Sequence, residues 1–324
     1  MLLRDTQVPL RVAAVDVGSN AIRFAAAEFR DPTHYAELEY RRVALRLGRD
    51  AFRTGRLPEA SVAGVVEAMV SFRESLDGLG IRAYRAVATS AVRESRNGPA
   101  VLERVRRESG VRLETITGDE EARLVWVAVR RRLALDGRSW LLVDLGGGSL
   151  EVSLMDGAGL AWSRSHPLGT VRLLEAVRGS ADPAAALDAV LARSLGALRL
   201  PRIGGGVEGL VATGGNIEAL ARIARAEGNG KDVRVLPLAA LREVTAQLAS
   251  LTVADRIDTL GLRPDRADVI LPAAMLYERV AQRTGADRIL VPRVGVREGV
   301  LLDLAQRIAN GNARAERALR EAGQ

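Results

Sequence analysis

Hydrophobic residues recur along this chain at two spacings, and the switches between them mark out its elements. A period of two predicts strands. Residues 11 to 30 read as two strands joined by a turn, with Ile22, Phe24 and Ala26 on one side of the alternation and Arg23 and Glu28 nearby. A period near 3.6 over Pro58 to Leu79 predicts a helix, with Val62, Val65, Val66, Met69, Val70, Phe72 and Leu76 as its stripe. A strand entering a helix start follows in AYRAVATSAVR (83–93), then a helix over Gly98 to Glu108 and a short strand in LETIT (113–117). The helix predicted over Asp119 to Leu135 opens with three acids, which suit the positive end of a helix dipole.

The second half repeats this opening. WLLVDLGG, SLEVSLMD and GLAWSRSH predict three strands in meander order, followed by helices over Thr170 to Val177 and Pro183 to Leu198. IGGGVEGLVATGG reads as a strand entering a further glycine turn, and IEALARIARAEG as a helix. Helices over Leu238 to Leu251 and Arg263 to Thr284, a strand in RILVPR and a closing helix from Gly299 complete the pattern. The boundary falls near Asp136 to Arg138, giving domains 1–135 and 136–324, each opening on the same turn.

That turn is VDVGSNAIRF at Val15 to Phe24 and VDLGGGSLEV at Val143 to Val152, with Asp16 and Asp144 lying 128 residues apart. Neither stretch has the spacing of a dinucleotide loop or a P-loop. After the glycines, Leu150, Val152 and Leu154 alternate with Glu151, Ser153 and Met155, so the turn joins two strands. Glycines let consecutive N–H groups converge on an anion. The aspartate before them would repel a phosphate, which calls for a divalent cation between the two. One such turn is also just a tight hairpin. Two of them, facing each other across a cleft, follow the logic of the actin-like phosphotransferase architecture.

Composition narrows the ligand. The net charge is +7, and of 47 basic residues all but Lys231 are arginine, a group suited to bidentate contact with phosphate, although coding bias also enriches arginine. Aromatics make up 3%, with no basic and aromatic interleaving, so nucleic-acid binding is not indicated. There is no cysteine, which removes disulfides and thiol chemistry and fits a reducing compartment. No apolar run of about 18 residues exists, so a soluble, cytoplasmic protein without membrane contact is expected.

VDVGSNAIRF, ATSAVRESRNG, ITGDEEARLVWVAV, VDLGGGSLEV and VGVREGVLLDL, in this order, resemble the exopolyphosphatase and guanosine pentaphosphate phosphohydrolase (Ppx/GppA) family, in a short two-domain form. The resemblance implies an α/β fold of duplicated ribonuclease H-like (actin-like) domains with an interdomain cleft. It implies Glu121 as the general base that activates water, Asp144 as the organiser of Mg²⁺ or another divalent cation, Glu151 as a second carboxylate that holds metal or positions water, and Arg93 at the phosphate chain. The backbones of Gly18, Ser19, Asn20, Gly146, Gly147, Gly148 and Ser149 are expected to bind phosphate oxygens, with Asp16 supporting the metal or its water shell. Where the family has threonine in the third glycine turn this chain has Asn216, which leaves the roles of Thr213 and Asn216 open.

The implied activity is release of terminal orthophosphate from inorganic polyphosphate, with guanosine pentaphosphate as the alternative substrate, and a homodimer is implied as well. An actin-like-fold kinase and a non-catalytic polyphosphate or nucleotide sensor are the more distant readings.

Overall fold

A computed structural model describes residues 9–31, 34–135, 138–156, 159–198, 200, 206–228 and 233–322. Asp136 and Gly137 at the expected boundary, Ile203 to Gly205 of the third glycine segment and Lys231 lie outside the described residues.

The first sheet contains β1 (Leu10–Val17), β2 (Ile22–Asp31), β3 (His34–Val43), β4 (Ala83–Ala88) and β5 (Leu113–Thr115), in spatial order β3-β2-β1-β4-β5. The β1–β2 and β2–β3 pairs are antiparallel, whereas β4 and β5 run parallel to β1. Its helices are α1 (Leu47–Thr54), α2 (Glu59–Gly78), α3 (Ser90–Arg93), α4 (Gly98–Ser109) and α5 (Gly118–Arg132).

The second sheet is built from β6 (Trp140–Leu145), β7 (Leu150–Asp156), β8 (Gly159–His166), β9 (Leu210–Thr213), β10 (Glu227–Gly228), β11 (Arg234–Pro237) and β12 (Arg288–Val291), in order β10-β11-β12-β9-β6-β7-β8. Without its β10–β11 edge, this sheet has the order and strand directions of the first: two antiparallel neighbours on one side of the leading strand, and two parallel strands on the other. The duplicated ribonuclease H-like arrangement expected from the sequence is therefore present. The remaining helices are α6 (Thr170–Ala176), α7 (Pro183–Ala197), α8 (Gly215–Ile223), α9 (Leu238–Ser250), α10 (Val253–Asp258), α11 (Pro264–Ala267), α12 (Ile270–Thr284) and α13 (Val296–Ala322). Among the described residues no helix is long and apolar enough to cross a membrane.

β1 is apolar on both faces because both are covered. Ala13, Val15 and Val17 join the core beneath α2 and α4, where Phe24 stacks on Phe72 with ring centroids 5.0 Å apart. Val12 and Ala14 face the opposite way, into a cluster that contains Val300, Leu301 and Ala305 of α13. A helix from the end of the chain thus packs on the first sheet. In return, Val125, Ala128 and Val129 of α5 pack with Trp140, Leu142, Met155 and Val211 of the second sheet. The two lobes exchange a helix each, and α5 and α13 cross between them.

Several local expectations change. β3 carries no clear apolar period, because it is an edge strand whose polar residues face water on much of its length. His34 opens β3 and lies with Nδ1 3.0 Å from Asp31 Oδ2. The helix expected over Arg263 to Thr284 is broken into α11 and α12. An unbroken helix would need an N–H at Pro272; restarting at Ile270 places that proline in a first turn, where none is required. The closing helix begins at Val296, and Gly299 lies inside it, where it marks the crossing with α5.

At that crossing a Cβ added to Gly299 would lie 2.0 Å from the Leu124 carbonyl oxygen, a backbone atom that cannot swing aside. Gly299→Ala is expected to separate the helices and cost about 2–3 kcal/mol, read as a lower midpoint in thermal or urea denaturation. An unchanged midpoint would show that the two helices do not cross at this close distance.

Candidate active site

The two glycine turns meet at the bottom of a cleft of about 670 Å³ between the lobes. Both are closed in the same way: the Gly18 N–H donates to Ala21 O at 3.1 Å and the Gly146 N–H to Ser149 O at 3.0 Å. Those two amides are consumed by the turns themselves. The N–H groups of Ser19, Asn20, Gly147 and Gly148 have no hydrogen-bond partner among the described residues. Gly18, Ser19, Asn20, Gly146, Gly147 and Ser149 line the cavity. Gly148 does not: a Cβ there would meet Phe52 at 2.3 Å, Ser90 Oγ at 2.3 Å and Ser19 Oγ at 2.8 Å, so it is where one turn presses on the other lobe. The second turn is anchored from behind by α6, whose Thr170 and Val171 N–H groups donate to Gly146 O and Gly147 O.

Four carboxylates surround this point, and all are withdrawn from water: Asp16, Glu121, Asp144 and Glu151 are 6%, 5%, 8% and 2% exposed. Strand register aims two of them together. Asp144 stands opposite Glu151 in the β6–β7 pair, just as Asp16 stands opposite Arg23 in β1–β2. The duplication thus preserves the aspartate and reverses the sign of its neighbour. Arg23 NH1 donates to Asp16 Oδ2 at 3.0 Å, so the first pair is internally neutralised. The second pair is two acids. Asp144 Oδ1 accepts from Thr213 Oγ1 at 2.6 Å, and Glu151 Oε1 from Ser165 Oγ at 2.7 Å.

Glu121 is presented by the first turn of α5, whose N-cap Thr117 accepts from the Glu120 N–H. Arg93 NH1 donates to Glu121 Oε1 at 2.6 Å and to the Ile116 carbonyl at 2.5 Å. Arg93 therefore stands behind Glu121 and is not among the residues lining the cavity. The next residue, Glu94, is bonded to Arg172 of α6.

The electrostatics separate two adjacent glutamates that the sequence leaves equivalent. Glu120 is held down to about 2 by the Arg123 guanidinium, helped by Arg85. Burial pushes Glu121 up to about 7, Arg93 pulls against that, and Asp144 and Asp16 add to it. Glu151 is driven well above the ordinary range by burial and by Glu121 and Asp144, while Asp144 and Asp16 are raised by burial.

Hard carboxylate oxygens of this sort suit Mg²⁺, Mn²⁺ or Ca²⁺. Among the described residues no three His, Cys, Asp or Glu side chains converge as a closed cage. Mg²⁺ is ordinarily held by one or two carboxylates, with substrate phosphate and water completing the shell. Asp144 and Glu151, excess negative charge opposite phosphate-sized turns, fit that mode.

The third turn serves another group. Gly214, at φ 92°, lets the chain pass Asp144, and Asn216 Oδ1 accepts from Arg266 NH1. Arg266 is 7% exposed, has no carboxylate partner among the described residues and is pushed down to about 10 by burial and by repulsion from Arg23 and Arg263. Neither Arg23 nor Arg266 is singled out by the sequence pattern. Arg23 was findable, since it follows Asp16 at the same interval as Glu151 follows Asp144. Arg266 was not, because only the folded chain brings it beneath Gly215.

The model of the Ppx/GppA phosphatase family matches residues 30–308. The chain is 30% identical over 315 residues to exopolyphosphatase 1 of Mycobacterium tuberculosis, covering 95% of this chain and 92% of the relative. It is 24% identical to a guanosine-5'-triphosphate,3'-diphosphate pyrophosphatase of Aliivibrio fischeri, over 92% of this chain and 60% of that protein. Among solved structures it resembles the Ppx/GppA family member of Aquifex aeolicus, with a TM-score of 0.76, 26% identity and coverage of 92% and 98% of the two chains. With a family model matched over most of its length and the same duplicated fold around the cleft, the chain belongs to the Ppx/GppA phosphatase family.

Proposed function

We propose that the protein is an exopolyphosphatase, which removes the terminal orthophosphate of inorganic polyphosphate by attack of water on the end phosphorus. The observation that carries this reading is Glu121: a carboxylate buried at the cleft floor, raised to about 7 and fixed by Arg93, facing the turns where a phosphate would lie. A base poised near neutral pH can take a proton from water without being permanently protonated. Arg93 keeps the carboxylate aimed, since its guanidinium is itself tied to the Ile116 carbonyl.

The free amides of Ser19, Asn20 and Gly147, which line the cavity, receive the oxygens of the transferred phosphoryl group and offset the charge that builds on them. A divalent cation such as Mg²⁺, held by Asp144 and Glu151 with Asp16 beside its water shell, would supply Lewis-acid neutralisation of the phosphoryl oxygens. Ser165 and Thr213 keep the two carboxylates turned into the cleft.

A second substrate, guanosine pentaphosphate, is favoured by one further observation. The cavity extends past the carboxylates to the buried Arg266, whose guanidinium lacks a carboxylate and would take a second phosphate group of a branched substrate.

The deciding experiment offers purified protein and Mg²⁺ either polyphosphates of defined length or guanosine pentaphosphate, and measures released phosphate. Wild type should act on polyphosphate, and Glu121→Gln should lose at least about 100-fold in kcat. No release from either substrate ends the hydrolase reading, and a fully active Gln variant ends the assignment of the base.

Stability supplies an independent check. The folded protein holds the Glu121 and Glu151 protons more tightly than the unfolded chain, where such a group titrates near 4.5. For Glu121 the stability gained from the neutral carboxyl is present below about pH 4.5 and lost as pH rises through about 7, and Glu151, raised well above its ordinary range, acts in the same direction. In chelator-treated protein, Glu151→Gln should accordingly raise Tm at pH 8, with the gain shrinking toward pH 5. A lower Tm at pH 8 would show that Glu151 is not a destabilising buried charge.

A further inference from the structure

The floor of the cleft is tied by packed helices, and α1 packs on α6 across the lobes; the Asp265–Asp268 segment is joined to the first lobe by polar side chains that centre on one arginine. Arg46 precedes α1 in the first lobe. Its NH1 and NH2 donate to the two carboxylate oxygens of Asp268 in the second lobe, the latter at 2.9 Å. NH2 also donates to the Asp265 carbonyl at 2.9 Å. Nε donates to Asn20 Oδ1 at 3.0 Å. Asn20 Nδ2 in turn donates to Asp265 O at 3.1 Å and lies 3.4 Å from Asp265 Oδ2, while Arg42 at the end of β3 pairs with that same carboxylate.

Both side-chain heteroatoms of Asn20 are therefore spent on this junction, although its backbone N–H belongs to a phosphate-sized turn. The side chains of Arg46 and Asp268 are 24% and 28% exposed, and those of Arg42 and Asp265 are 11% and 18% exposed, so the pairs are partly shielded from water and keep more of their Coulomb energy than surface pairs. Only a guanidinium can face a bidentate carboxylate with one edge and a side-chain amide with Nε.

We propose that Arg46 is a positioning residue that latches the lobes, holding the Gly18–Asn20 turn against the Asp265–Asp268 segment so that the amides of the two glycine turns face one phosphate. This rests on the hydrolase reading for its kinetic consequence. Its structural consequence does not. Opening the junction would let the first turn move away with the first lobe and lower the fraction of molecules with a complete site, so substrate would bind more weakly and turn over more slowly.

The test uses the full chain with Arg46→Met, Asp268→Asn, the double variant and Arg46→Lys. Two readouts are taken: steady-state release of phosphate from polyphosphate with Mg²⁺, and the radius of gyration by small-angle X-ray scattering without substrate. Each single variant should lose about tenfold in kcat/KM, and the double variant no more than either, because both remove one link; unrelated sites would multiply to about 100-fold. Scattering should show Arg46→Met more open than wild type, with an unchanged far-ultraviolet dichroism spectrum.

Arg46→Lys keeps the charge opposite Asp268 but frees Asn20, so it should restore the closed dimensions while kcat stays several-fold low. Multiplying losses, or wild-type dimensions in Arg46→Met, would overturn the latch. Full recovery of kcat in Arg46→Lys would overturn the role assigned to Asn20. Should wild type release no phosphate from either substrate, the hydrolase reading falls, while the scattering comparison still decides the latch.

Discussion

Withdrawing four carboxylates from water at one point is the constraint on which the rest of this structure depends. Each ionised carboxylate taken into a protein interior costs several kcal/mol unless another group compensates. The chain meets that cost unevenly. Asp16 has Arg23, Glu121 has Arg93, and Asp144 has a threonine hydroxyl. Glu151, the most deeply buried, has only hydroxyl partners and two acidic neighbours. Negative charge is therefore left over on the second-lobe side of the cleft, opposite amides that want an anion. A cation bridging the two would relieve both at once.

The duplicated fold makes this arrangement possible. Two sheets that share a five-strand order present two strand–turn–strand units paired in the same register, with an aspartate near the end of the leading strand in each. The difference in charge falls at one register position, arginine in the first copy and glutamate in the second. That single difference turns a symmetric pair of turns into a site with a neutral side and an acidic side. The exchange of α5 and α13 fixes the floor, since each helix is packed against the sheet of the other half. The Asp265–Asp268 segment is tied to the first lobe through Arg46 and Arg42, polar contacts whose strength depends on water and salt.

Legibility followed the range of the interactions. The strand after Gly148 was readable because period-two alternation is a property of neighbouring residues. β3 was not, because an edge strand can be polar on much of its length and so shows no period. The break between α11 and α12 hung on one missing N–H at Pro272, which a hydrophobic stripe does not register. Among site residues, GDEEAR pointed to Glu121 by resemblance, yet nothing local separated it from Glu120. Arg85 and Arg123 draw Glu120 outward, and those partners come from β4 and from the next turn of α5. Arg93 likewise reaches Glu121 only because α3 lies beside the start of α5.

By itself the sequence determined what is repeated and what is local: two aspartate–glycine turns, most but not all of the strands and helices, the excess of arginine, and the motifs that place the chain among phosphatases of one family. Tertiary structure alone decided which turn amides remain unpaired, which of two adjacent glutamates is desolvated, that Gly148 is a contact and not a cavity wall, and that Arg266 and Arg46 matter. The reason is physical. Periodicity and turn chemistry act between residues a few positions apart, whereas desolvation and charge pairing depend on groups that become neighbours only after the sheets have formed and the lobes have met.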